Sequence, residues 1–332
     1  MADYNLGICA EENLNTGYDG CVTPPAPLVR VISTAKNEQI PASFWLTPEV
    51  SLKGKLLNDD ATVRWSSSPR FNDVTEAIQE TATVTAADGS IFTLKEGSTN
   101  YQFLLKDTNP CAQKAIRAFD GTKKPLLLVQ SNRVILGQKS YALTSPYAMQ
   151  MGGYKPQRAY VPKASLRTNA DTANSMLMLN FIDPKQDEAN MVSIALPDID
   201  LDNLLDQYVV TNAYIRLSTA MTTTGVVKFK IWSGCGNVNL GIEYAADWTA
   251  ALFTFINATT GLALAKTIAI NATTGEITMT ATTPPAASTP MIIGLAAISV
   301  LEAAGIEYYE TPASRLDGTV NDKSYKLTVL NT

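Results

Sequence analysis

The chain contains no histidine in 332 residues, and that absence limits its chemistry before any motif is weighed. Histidine is the commonest general base near neutral pH and the commonest metal ligand. Without it, Ser-His-Asp and Cys-His nucleophilic sites are excluded, as are typical zinc enzymes. Carboxylate or lysine chemistry remains. Asp183, Asp187 and Glu188 are the best local acids for a glycosidase pair, which needs two carboxyl groups facing each other about 5–10 Å apart. Their setting is polar and loop-like, with nothing to separate two carboxyl pKa values. Asp198, Asp200 and Asp202 alternate like the opening of a calcium loop, but the required glycine and distal glutamate are missing. Pro197 before them and Leu201, Leu204 and Leu205 among them make a helix start the better reading, since carboxylates suit its N-terminal dipole. The sequence thus offers no catalytic, cofactor-binding or metal-binding residue and predicts a protein that is not an enzyme.

Other candidate motifs are equally plain. The stretch from Gly234 to Gly241 has glycines but not GxGxxG spacing, so it reads as a turn or bulge. Asn257-Ala258-Thr259 and Asn271-Ala272-Thr273 are formal glycosylation sequons. The first residues show no basic region followed by an apolar core, so the sequence predicts cytosolic synthesis and these sequons read as turns. Cys9, Cys21, Cys111 and Cys235 form no CxxC pair and read as free thiols, with Cys9–Cys21 the one conceivable bridge. Lys114, Arg117, Lys123 and Lys124 read as a solvated helix end or a subunit contact. Tyr141, Tyr147, Tyr154 and Tyr160, with Met149 and Met151, suit either an interface or a small core of their own.

The elements that would position these residues are mostly strands. Residues 1–27, closed by Pro24, Pro25 and Pro27, read as an irregular arm that orders on a neighbour. Strands are predicted at Leu28–Ser33, at Thr62–Ser66 with Val63 and Trp65 on one face, and at Tyr101–Leu105. Thr81–Thr85 and Ile91–Leu94 flank Asp88-Gly89 as a hairpin. A helix is predicted over Pro110–Phe119, capped by Asn109, with Cys111, Ala115, Ala118 and Phe119 facing the sheet. Leu126–Gln130 and Val134–Gly137 form a second hairpin. Residues 140–175 read as a long functional loop, followed by a strand at Met176–Phe181, a short helix over Ile199–Leu205 and a strand at Ala213–Leu217. From residue 223 the strands Val226–Trp232, Phe253–Ile256, Thr267–Ile270, Ile277–Thr280 and Ser324–Leu330 suggest a separate sandwich. Within it, Asn-Ala-Thr-Thr-Gly at 257–261 recurs at 271–275, as two turns flanking one strand of a meander. The predicted domains are 1–27, 28–222 and 223–332.

The fold class expected is therefore mainly β, with one packed helix in the first domain. The charged fraction of 17% is low against a norm of about 25%. A subunit that hides much of its surface against neighbours has such a composition. A net charge of −5 argues against wrapping nucleic acid, yet suits a wall past which nucleic acid slides. No stretch of about 18 apolar residues is present to span a bilayer, so no membrane partner is expected.

This order of elements resembles the tail tube (major tail) proteins of tailed bacteriophages, of the kind carrying an added C-terminal immunoglobulin-like domain. The first part of the resemblance covers about residues 25–220: strands, the Asp88-Gly89 hairpin, the Pro110–Phe119 helix, the pair at 126–136, then Met176–Phe181 running into Ile182-Asp183-Pro184. The second covers 226–332, where Lys228-Phe229-Lys230-Ile231 leads to Cys235-Gly236-Asn237-Val238-Asn239-Leu240 and later to Ile298–Ile306. The resemblance implies a tail-tube-like β-barrel or sandwich followed by an immunoglobulin-like sandwich on the outside. It further implies rings of identical subunits, commonly six, stacked into a tube through which DNA passes. The partners would be copies of itself and other tail or connector proteins. The location would be the virion tail, assembled in the bacterial host cytoplasm, with the arm and the 140–175 loop joining rings. The alternatives are another virion component (capsid decoration, head–tail connector or baseplate) or a carbohydrate-binding surface adhesin using Trp232 or Trp248.

Overall fold

The computed structural model describes residues 26–79, 82–86, 88, 90–95, 98–106, 108–142, 145–165, 172–181, 190–234, 238–311 and 325–328. The arm up to residue 25, Cys9, Cys21 and Cys235 lie outside these. The fold is mainly β, with several antiparallel sheets, one of them curled into a half-barrel. It divides into two compact units between Val209 and Val210.

The first unit is built on the central strands β1 (Leu28–Ser33) and β7 (Leu126–Gln130). Leu126-Leu127-Leu128-Val129 is an unbroken apolar run because both faces of this sheet are covered. Leu127 and Val129 face one core together with Ile32, and Leu126 and Leu128 face another together with Val31. The first core is closed by α1 (Pro48–Leu56) and α3 (Leu201–Gln207), which supply Leu52, Leu56, Leu201, Leu204 and Leu205. The second is closed by α2 (Pro110–Arg117) and by a four-stranded sheet that supplies Phe103, Leu177, Leu179 and Phe181. Helices, sheet and sheet thus stack as three layers. The central sheet runs β12 (Met191–Ala195), β8 (Val134–Ala142), β7, β1 and β2 (Ser66–Ser67), with β9 (Ser145–Gly152) also on β8.

Several expectations need correcting here. Thr62–Ser66 is not a strand up to Ser66. The Asp60 carboxylate accepts from the Thr62 amide at 2.9 Å and hydroxyl at 2.7 Å, which coils the chain. Those bonds, the hydroxyl's first, hold the Asp60 carboxyl below the usual carboxylate range. Val63 is exposed and Trp65 buried, so they do not share a face. In α2, Asn109 caps as predicted by accepting from the Ala112 amide at 2.8 Å, and Phe119 is buried as expected, but the helix ends at Arg117, Ile116 is the other anchor and Ala118 is exposed. Much of the supposed 140–175 loop is strand. β9 pairs with β8 from Gln138 opposite Gly152 to Ala142 opposite Ser145, and β10 (Arg158–Tyr160) pairs with β11 (Asn174–Phe181). Backbone partners on β8 and β11, not side-chain pattern, make these segments strands rather than irregular chain.

The second unit is a two-sheet sandwich around one core. One sheet runs β16 (Lys266–Asn271), β17 (Glu276–Ala281), β14 (Val226–Ser233), β13 (Thr211–Thr219) and β19 (Tyr309–Glu310). The other runs β15 (Phe253–Asn257), β18 (Pro290–Leu295) and β20 (Tyr325–Thr328). β13 belongs to this sandwich, not to the domain ending at 222, because Ala213–Leu217 lies in register against Ser233–Phe229. Ile298–Ile306 opens with a helix, α5 (Ile298–Ala303), following α4 (Leu240–Glu243) in the chain's helix order.

Candidate assembly surface

The four-stranded sheet of the first unit runs β10, β11, β6 (Ser98–Lys106) and β3 (Asp73–Gln79). Along β11, buried and half-buried residues alternate strictly, so one face is core and the other is open. The open face carries amides. Asn180 stands opposite Asn100 and donates to it at 2.5 Å, and Met178 stands opposite Gln102. Beside them Arg158 lies over the Tyr160 ring, 4.9 Å from its centre. Asn100, Gln157, Arg158, Tyr160, Met178 and Asn180 border a shallow depression of about 530 Å³. Its lining mixes amides with the apolar surface of Tyr160, Met178 and Leu179, carries one charge at Arg158, and holds no paired acids or nucleophile–base couple.

Neither outer strand pairs with a second strand among the described residues, although the β10 edge is met by the Asp120-Gly121 turn, where the Gly121 amide donates to the Ala159 carbonyl at 3.0 Å and the Val161 amide to the Asp120 carboxylate at 2.9 Å. The charges of the two outer strands are opposite. β3 carries Asp73 and Glu76, both exposed, and no cation. β10 carries exposed Arg158, flanked by exposed Lys155 and Lys163, with no acid between. An unpaired strand edge is a template for another chain, and opposite charge on two edges of one sheet favours a head-to-tail match.

β3 and β6 do not end at the sheet. Their pairing reaches Gln79 opposite Ser98 and resumes in β4 (Ala82–Thr85) and β5 (Ile91–Lys95), from Ala82 opposite Lys95 to Thr85 opposite Ile91. The turn is held by Asp88, whose carboxylate accepts from the Ser90 hydroxyl at 2.6 Å and amide at 2.9 Å. Those bonds, the hydroxyl's first, keep its pKa below the usual carboxylate value. Thr83, Val84 and Thr85 are all exposed, so β4 stands clear of the core.

The remaining candidates fall elsewhere. Asp183, Asp187 and Glu188 lie outside the described residues. Asp200 caps α3 by accepting from Asn203, as a helix start requires. Asp202 and Asp206 instead face Arg30, a buried cation on β1 that sequence patterning did not flag. Among the described residues no cluster of three or more His, Cys, Asp or Glu side chains is placed to hold a metal. In the 234–241 stretch, Asn239 caps α4 and its amide nitrogen donates to the Thr274 carbonyl. Gly241 is required because a Cβ there would overlap the Gly275 carbonyl. Met151 and Tyr154 are core residues of two different clusters, while Tyr160 is exposed. The side chains of Tyr141, Tyr147 and Met149 lie outside the described residues. Cys111 is a half-buried free thiol. Lys114 and Arg117 occupy the last turn of α2. Trp248 is a core residue whose indole donates to the Leu240 carbonyl at 2.9 Å, which removes it as a glycan platform. Trp232 stays half-exposed on the sandwich face. Among the described residues no helix is long and apolar enough to cross a membrane.

No protein-family model matches the chain, and a search of curated proteins returns no match.

Proposed function

We propose that the chain is a structural subunit that assembles with copies of itself into closed rings, stacked as the tail tube of a tailed bacteriophage. The observation that carries this is one sheet whose outer strands, β3 and β10, carry opposite charge and pair with no further strand among the described residues, with one face in the core and amides on the other. β3 of one copy adds to β10 of the next, so that each sheet loses its edges when the ring closes. Six four-stranded sheets make a barrel of roughly 24 strands. At about 4.8 Å per strand its circumference is about 115 Å and its backbone diameter roughly 37 Å before strand tilt widens it. That bore passes a DNA duplex, and a wall of Asn100, Gln102 and Asn180 offers it neutral dipoles rather than a basic surface to adhere to. The β4–β5 ribbon, whose β4 strand is exposed, supplies the contact between rings. The second unit is the immunoglobulin-like domain of this arrangement, and the other partners are tail and connector proteins at the ends of the stack. The site of action is the virion tail, after assembly in the bacterial host cytoplasm.

The test is a charge exchange read by electron microscopy of the concentrated full chain. Wild type forms tubes of uniform width. Asp73→Lys and Arg158→Glu, which the register places on the same open face of the sheet, each block them, and the double variant restores them. Wild type that stays monomeric at high concentration, or a double variant no better than the singles, would refute edge-to-edge closure.

A further inference from the structure

The outward face of the five-stranded sheet concentrates cations beside aromatic rings. Along β14 the outward residues are Val226, Lys228, Lys230 and Trp232, alternating with buried Val227, Phe229 and Ile231. On β13, Tyr214 stands directly opposite Trp232 and Arg216 directly opposite Lys230. Arg216 is exposed and lies over the Trp232 ring, 5.8 Å from its centre. Lys228 follows on the same face, opposite Thr278.

The Arg216–Lys230 pairing is the telling feature. Like charges directly across two strands oppose sheet formation. No ion pair joins either residue to an acid among the described residues; Glu276 lies 3.8 Å from Lys228, and Glu310 stands opposite Asn212 at the β19 side of the face. The second unit has seven Lys and Arg against eight Asp and Glu in all. Three of those seven cations nevertheless share one small patch. We propose that this face binds an acidic polysaccharide, with Arg216, Lys228 and Lys230 holding its anionic groups and a sugar ring stacked on Trp232.

The dimensions fit. Successive rows on one face are about 6.6 Å apart, two residues along a strand. A sugar on the Tyr214–Trp232 row therefore presents its own or its neighbour's carboxylate to the Arg216–Lys230 row. Nucleic acid fits less well. Its phosphates are densely spaced and call for a broad basic footprint, whereas this patch is bounded by Glu276 on a chain of net charge −5. The inference does not rest on ring assembly, since a monomer presents the same face.

The experiment is affinity electrophoresis of the full chain through gels containing polygalacturonate, neutral dextran or an oligothymidylate. Polygalacturonate should retard the wild type and dextran should not. Trp232→Ala and Lys230→Ala should each weaken retardation by roughly tenfold in apparent Kd, while Lys123→Ala in the other unit leaves it unchanged. Arg216→Gln, at the exposed surface, carries the test if Trp232→Ala does not fold. Absence of retardation by polygalacturonate overturns the proposal. So does equal loss on Lys123→Ala, a folded Trp232→Ala with full binding, or stronger retention by oligothymidylate.

Discussion

Arg30 gives the sharpest test of how the first unit holds together. It is 1% exposed, yet carries a full charge. Its Nη1 and Nη2 donate to the two Asp206 oxygens at 2.8 and 2.7 Å, its Nε to Asp202 at 2.8 Å, and Nη1 also to the Ser68 carbonyl at 3.1 Å. Burial opposes the charge, but the bonds to Asp206 and Asp202 outweigh it and raise the guanidinium above its ordinary pKa. The two carboxylates lie on α3, so the cluster ties that helix to the central strand. Removing one partner of a buried pair costs about 3–5 kcal/mol, because the other charge stays buried. Asp206 is 64% exposed, and water can reach part of the gap, so Asp206→Ala should cost about 2 kcal/mol after discounting for screening. Arg30→Met should cost less than about 1 kcal/mol, because methionine fills the stem volume and no buried charge remains. Asp202 keeps Arg70, Asp206 is solvated, and the Ser68 carbonyl keeps the Ser67 hydroxyl at 3.1 Å. Urea unfolding followed by circular dichroism at low protein concentration measures both, with the second unit's transition as an internal standard. If Arg30→Met destabilises as much as Asp206→Ala, the cluster is net stabilising and the asymmetry argument fails.

Three further outcomes are expected. Gly261 and Gly275 end identical pentapeptides with φ of 71° and 65°. Gly261→Ala faces open space and should cost about 1 kcal/mol of left-handed strain, while Gly275→Ala also overlaps the Asn239 side chain and should cost about 1–3 kcal/mol more; equal losses in chemical denaturation would contradict this. Burial, then Tyr244, Glu307 and Glu243, push the Tyr309 phenol well above its ordinary value of 10.0. The folded state thus holds that proton more tightly than the unfolded chain. Its contribution is full below about pH 10 and is lost as pH rises toward the folded value, so Tyr309→Phe should flatten the alkaline fall in the second unit's melting temperature. Replacing residues 84–92 by Asn-Gly should leave the melting profile unchanged and allow rings but not tubes, as seen by electron microscopy; a variant that still forms long tubes would exclude the ribbon as the contact between rings.

Sequence patterning found the elements whose signal is local. β14 alternates because one face is core, and Asn109-Pro110 starts a helix because the cap and fixed φ act within one turn. It misplaced elements whose form depends on distant partners. Residues 145–152 carry Pro146 and Gly152 and no clean alternation, yet they form a strand because β8 supplies its backbone partners. The candidate assembly surface was partly legible: Asp88-Gly89 marked the turn between β4 and β5, but the opposite charges of β3 and β10 gain meaning only once both border one sheet. Trp232 was a candidate from its type, whereas the Arg216–Lys230 pairing needed the register.

The repeated Asn-Ala-Thr-Thr-Gly shows where the line falls. In both copies the asparagine side chain accepts from the two threonine amides, and the glycine amide donates to the asparagine carbonyl, at 2.8 Å in the first and 2.7 Å in the second. Five residues suffice for that, so the sequence alone determines the turn. Beyond the glycine the two copies part company. The second copy closes the β16–β17 hairpin, while the first carries the chain from the β15 sheet to the other sheet, so the expected simple meander is not formed. That choice is tertiary, because strand pairing is decided by which apolar faces share a core, and Phe253 and Phe255 are buried from one sheet while Ile277 and Met279 are buried from the other. Hydrogen bonds inside a turn close over a few residues, whereas a sheet partner is selected only when the whole core is assembled.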